Sequence, residues 1–162
     1  MNVIMMIRKI VSSDNARMAE IIRASLSEFN AAKAGTVYFD ETTDCLSELF
    51  QQEQSAYFII EIDHEIAGGA GFFPTKGLDE NTCELVKMYI SKKFRGNGYG
   101  QTLLEYCISE AKKTGYENMY LESLPELKNA IAMYEKNGFK YIYHSLGNSG
   151  HNGCDIWMIK KL

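Results

Sequence analysis

The stretch "ELVKMYISKKFRGNGYGQTLLEYCISEAKKTGYENMYLE" constrains this chain more than any other. Gly96, Gly98 and Gly100 alternate directly after Arg95. Glycine at every second position costs chain entropy and weakens any regular element that holds it, so the loop is built where bare backbone is needed. Before it, "TCELVKMYI" reads as an apolar strand. After it, Gly98 to Thr114 reads as a helix with Leu103, Leu104, Cys107, Ile108 and Ala111 on one face and Gly115 as its stop. "NMYLES" follows as a second strand. Two strands joined through a helix are expected to lie parallel.

A strand that ends in a glycine turn and feeds a helix N-terminus is suited to an anion. Unpaired N–H groups point outward, the helix dipole adds about half a positive charge, and glycines let successive amides turn toward one phosphate. Arg95 adds a charge at the rim. The ligand is less determined. A mononucleotide loop requires Lys-Ser/Thr after its glycines, and none follows here. A dinucleotide loop requires G-x-G-x-x-G, but Gln101 stands three residues after Gly98. A phosphate or pyrophosphate compound of another kind, or a glycine turn with no ligand, remain as readings.

The rest of the chain supplies a frame for this unit. "MNVIMMIRKIV" reads as a first strand, because Arg8 and Lys9 follow its short apolar run, the reverse of a leader peptide. "SSDNARMAEIIRASLSEFN" reads as a helix, with a shorter one after Thr42 or Thr43. "AYFIIEID" and "IAGGAGFFP" form a hairpin, and Gly68, Gly69 and Gly71 predict a bulge or a close backbone approach. "LPELKNAIAMYEKN" is a helix ended by Gly138, and "FKYIYH" and "CDIWMIKKL" are the last strands. The expected class is α+β (mixed α/β): a central mixed, mostly antiparallel sheet with one parallel pair and helices on both faces. With 162 residues and no linker or repeat, a single domain over 1–162 is expected.

Composition narrows the function classes. A net charge of −4 speaks against a protein built to bind nucleic acid, and no apolar run of about 18 residues predicts a membrane span. Cys45, Cys83, Cys107 and Cys154 are dispersed without any CxxC, which fits reduced thiols in a cytoplasmic protein. His144, His151 and Cys154 in "HSLGNSGHNGC" lack the paired spacing of metal ligands, so no metal is expected there, and a loop bordering a substrate is the functional alternative to a plain hairpin loop.

The glycine unit resembles the acetyl-CoA-binding core of the GNAT superfamily of N-acetyltransferases, whose signature is Arg/Gln-x-x-Gly-x-Gly/Ala after an apolar strand. Arg95, Gly98 and Gly100 match it, with Gly96 as an extra glycine, and "NAIAMYEKNGFKY" is similar to the family's later helix and strand start. The resemblance covers Thr82 to Tyr143. It implies acetyl-CoA as co-substrate and direct attack by a primary amine, and it allows a homodimer; polyamines, amino acids, aminoglycosides and protein N-termini stay open as acceptors, with the acidic balance favouring a cationic small molecule. The pantetheine arm would pair with the backbone of Met88, Tyr89 and Ile90. The pyrophosphate would lie on Arg95, Gly96, Asn97, Gly98, Tyr99, Gly100 and Gln101. Asn129 would touch the cofactor, and Tyr134 would stand near the thioester sulfur as the proton donor.

For the base, Glu84 lies six residues before Ile90 and, by strand period, on one face with Val86, Met88 and Ile90; Glu122 is the second choice. Tyr38, Phe39, Phe72 and Phe73 are candidates for an acceptor pocket, and Glu41–Asp44 and Asp79–Glu80 for attracting a cation. The alternative to an enzyme is a module that binds acetyl-CoA as a sensor without turnover.

Overall fold

The strand Met5–Lys9 (β1) pairs antiparallel with Ala56–Ile62 (β2), which continues as a hairpin into Glu65–Phe73 (β3) and then Thr82–Ile90 (β4). This computed structural model describes every residue except Met1 and His151. After β4 come the helix Tyr99–Thr114 (α3), the strand Asn118–Ser123 (β5), the helix Lys128–Lys136 (α4) and the strands Lys140–Ile142 (β6) and Ile156–Lys161 (β7). Earlier in the chain, Asn15–Glu28 (α1) and the single turn Leu46–Leu49 (α2) lie between β1 and β2. The sheet order is β1-β2-β3-β4-β5-β7-β6, and every neighbouring pair is antiparallel except β4 and β5. The expected class and element order are therefore present, with the one parallel pair where the helix connection requires it.

Both faces of the sheet are covered. On β2, Phe58, Ile60 and Ile62 pack with Leu103, Leu104, Cys107 and Ala111 of α3, while Tyr57 and Ile59 pack with Met18, Ile21, Ile22 and Leu26 of α1. The period of two sends alternate side chains to opposite helices, so "AYFIIEI" needs to be apolar on both faces. In α1 the buried positions recur at helical spacing, and each fully buried Leu or Ile contributes about 1.5–3 kcal/mol.

Several boundaries differ from the expected ones. The helix after β5 begins at Lys128, not Leu124, because residues 124–127 close a separate turn in which Leu127 N donates to Leu124 O at 3.0 Å. β6 is confined to Lys140–Ile142, an edge strand with one neighbour. The glycines of β3 serve both expected purposes. Cβ atoms at Gly69 and Gly71 would lie 2.6 and 2.8 Å from the Tyr57 ring, so the tyrosine lies across bare backbone. Register also shifts between Gly69 and Gly71.

Candidate active site

The parallel pair that defines the sheet is short. Thr82 pairs with Asn118, Cys83 with Met119 and Glu84 with Tyr120, and there the ladder ends. Beyond Glu84, β4 stays bonded to β3 and β5 stays bonded to β7, so the carboxyl ends of the two parallel strands part. Such a parting is where open sheets leave room for a ligand. Here it forms a cleft of about 470 Å³ between α1, β4, β5 and the start of α4.

A bulge in β4 decides which side chains line it. Gly69 pairs with Tyr89 and Gly71 with Val86, so β4 carries one more residue than β3 between those pairs. Lys87 sits in the bulge at φ 51°, and the buried Tyr57 hydroxyl donates to its carbonyl at 2.6 Å. An extra residue reverses the alternation of every side chain after it. Val86 and Tyr89 therefore pack on the α1 side, while Met88 and Ile90 join Cys83 and Leu85 on the α3 side. The expectation that Glu84, Val86, Met88 and Ile90 share one face is thus corrected: it assumed an unbroken period of two, and the bulge breaks it.

Glu84 is 2% exposed, and its Oε1 is buried without a hydrogen-bond partner among the described residues. Burial, then the charge of Glu122, pushes its carboxyl up to about 8 against the pull of Thr75 and Lys87. Across the cleft, Glu122 accepts from the Tyr120 hydroxyl at 2.6 Å and from Ser149 Oγ at 2.6 Å. Tyr134 is 7% exposed, packs edge-on to Phe139, and lines the cleft. Burial raises its phenol above the ordinary range, so it keeps its proton at any working pH. Burial and the neighbouring Tyr134 do the same to Tyr89.

At the other end of the cleft lies the glycine loop. Gly96 and Gly98 have φ of 80° and 82°, and a Cβ at either would meet nothing within 4 Å among the described residues, so the loop presents open backbone. The first α3 amide with a backbone acceptor is that of Thr102, which donates to Gly98 O at 3.1 Å. The amides of Gly96 to Gln101 have no backbone acceptor among the described residues, the orphan donors of a helix start. Arg95 is held inward rather than free at the rim. Its guanidinium pairs with Glu28 at 2.8 Å, donates to Ser25 Oγ and Ile90 O, and lies over the Phe29 ring.

Of the residues singled out in the sequence, the cleft brings together Glu84, Met88, Tyr89, Ile90, Arg95, Gly96, Gly98, Gly100, Gln101, Glu122, Asn129, Tyr134 and Cys154. Asn97 is turned back onto the carbonyls of Phe94 and Arg95, and Tyr99 packs against the α3 core, so neither side chain reaches the cleft wall. Phe72 and Phe73 are taken up in ring contacts with Tyr116 and Phe50, and Phe39 is exposed. Asp44 is spent on Arg23, and Asp79 caps the turn before β4. His144 is exposed, and His151 lies outside the described residues. Sequence reasoning passed over Lys87, which lines the same cleft, and Asp40, whose Oδ2 pairs with Lys87 Nζ at 3.0 Å. A charged residue inside the apolar run "LVKMYI" was the available signal.

This architecture has known counterparts. The model of the Acetyltransferase (GNAT) family matches residues 18–139. The chain is 35% identical over 156 residues to an uncharacterized N-acetyltransferase, YjgM, of Escherichia coli K12, covering 96% of this chain and 93% of that protein. Human N-acetyltransferase 8 is 24% identical over 119 residues, covering 69% of this chain and 52% of that protein. Among solved structures, a GNAT-family acetyltransferase of Staphylococcus aureus Mu50 superposes with a TM-score of 0.83 at 21% identity, over 98% of this chain and 99% of that one. The PaiA N-acetyltransferase of Thermoplasma acidophilum, solved in complex with coenzyme A, gives 0.77 at 21% identity over 98% and 99%. With the family's strand, glycine loop and helix in place around one cleft, this chain belongs to the GNAT family and is an N-acetyltransferase.

Proposed function

We propose that residues 1–162 act as one domain that transfers the acetyl group of acetyl-CoA to a primary amine of a small molecule by direct attack in a ternary complex. The observation that carries this reading is that one cleft has open glycine amides at one end and, at the other, a buried carboxyl whose Oε1 has no hydrogen-bond partner among the described residues. The glycine end suits a pyrophosphate, because orphan amides and the helix dipole both favour negative charge. The parted strand Met88–Ile90 offers backbone for an extended arm on the side that β5 leaves free. A complex of coenzyme A with the related Thermoplasma fold supports the same ligand here.

Glu84 takes a proton from the acceptor ammonium or through one water, freeing the nitrogen lone pair. That nitrogen attacks the thioester carbonyl carbon; the N–C bond forms and the C–S bond breaks, with its electron pair going to sulfur. The acylated nitrogen sheds its surplus proton to solvent to leave a neutral amide, the leaving sulfur takes the Tyr134 hydroxyl proton, and the phenolate is reprotonated from solvent. Nothing in this sequence requires a metal or a covalent enzyme intermediate.

Calorimetric titration with coenzyme A, ATP and NAD, followed by thiol release on addition of amines, tests the reading. Binding of coenzyme A over the other two and amine-dependent release of thiol are expected. Failure to bind coenzyme A overturns it, and binding without release with any amine leaves a sensor in its place.

A further inference from the structure

Lys87 is not needed for any step above, yet the fold goes to some length to place it. It stands in left-handed backbone, which a non-glycine residue rarely adopts, and its side chain is only 3% exposed. Burying an ammonium is costly unless it is paired. Its one hydrogen-bond partner among the described residues is Asp40 Oδ2, while Asp40 Oδ1 is occupied by Thr42 N and Oγ1. An ammonium has three donors, so Nζ retains hydrogen-bonding capacity beyond Asp40, and Lys87 lines the cleft. Three residues back on the same strand, about 10 Å of chain at most, lies Glu84, whose Oε1 has no hydrogen-bond partner among the described residues. Glu122 faces the same space. The acceptor end of the cleft therefore presents a buried cation and a buried carboxylate within the span of one small molecule.

We propose that the acceptor is a small zwitterion, an amine that also carries a carboxylate, with its carboxylate held by Lys87 Nζ and its amine presented to Glu84. This deepens the acetyltransferase reading and rests on it. A polyamine or an aminoglycoside would instead bring a second cation against a desolvated lysine, where like charges repel with little screening. An uncharged amide in place of the carboxylate would leave the charge-assisted bond to Nζ unmade.

Thiol release is measured with free amino acids, their carboxamides, the matching decarboxylated amines and spermidine, with coenzyme A affinity titrated on the same protein. The free acids are expected to exceed their amides and decarboxylated counterparts by about tenfold or more in kcat/KM. Lys87→Gln should collapse that ratio toward one through KM of the free acids, and Lys87→Arg should retain part of it. The substrate series on the unaltered protein decides the matter even where a Lys87 variant folds poorly. Equal or better turnover of amides or spermidine overturns the proposal, as does turnover of no carboxylate-bearing amine by protein that binds coenzyme A. Loss of coenzyme A binding itself overturns the underlying reading and is told apart by the titration.

Discussion

At the residue scale, Glu84 carries a consequence for stability as well as for chemistry. Its folded carboxyl titrates near 8 and its ordinary value is 4.5, so the folded state holds a proton that the unfolded state releases. The stabilisation from this proton is full below pH 4.5 and is lost as pH rises through about 8. Glu84→Gln keeps a neutral side chain at every pH. The melting temperature of the unaltered protein should therefore fall relative to that of Glu84→Gln as pH passes from 4.5 to above 8, and parallel curves would contradict a buried carboxyl. Tyr134 gives a separable prediction. Its raised phenol holds the proton tightly and yields it late, so Tyr134→Phe should lower kcat by about 10²-fold or more while leaving coenzyme A affinity within about twofold. Equal loss of both would make Tyr134 a packing residue.

At the element scale, the loop before α3 and the strap before β7, which carries Ser149 and Gly153, are proposed to act on different ends of the cleft. Gly98 has φ of 82° with open space around it, a conformation that asparagine tolerates better than other side chains. Gly98→Asn should leave melting within a few degrees, yet weaken coenzyme A binding by about tenfold or more, about 1.4 kcal/mol. If melting falls as steeply as affinity, the loop is a structural turn. The strap is tied down where Gly153 N donates to Gly35 O at 3.0 Å and where Ser149 reaches Glu122. A Cβ at Gly153 would lie 2.6 Å from Ala34 O, so a side chain there lifts the strap. Gly153→Val should raise KM for the amine several-fold with coenzyme A affinity unchanged, and the reverse pattern would place the strap over the cofactor end.

For the molecule as a whole, the sheet class, the parallel pair and the glycine loop were legible because each rests on local signals. "AYFIIEI" shows a strand apolar on both faces, and "RGNGYG" between a strand and a helical pattern shows a turn with bare amides. The bulge at Lys87 was not legible, because it depends on Tyr57 lying across the glycines of a neighbouring strand. That long-range contact moved Met88 and Ile90 away from Glu84 and brought Lys87 to the cleft. The pairing of Arg95 with Glu28 was hidden for the same reason, since α1 and the loop are far apart in the chain. In the proposed mechanism the reaction lies where the two parallel strands part, with Glu84 taking the proton of the amine. The pH profile of kcat/KM for amine-dependent thiol release, compared between the unaltered protein and Glu84→Gln, tests this most directly. A limb rising through about 8 is expected beside the limb from the amine itself, absent in a Glu84→Gln enzyme slowed by about 10²-fold or more. Superimposable profiles of similar height would contradict it.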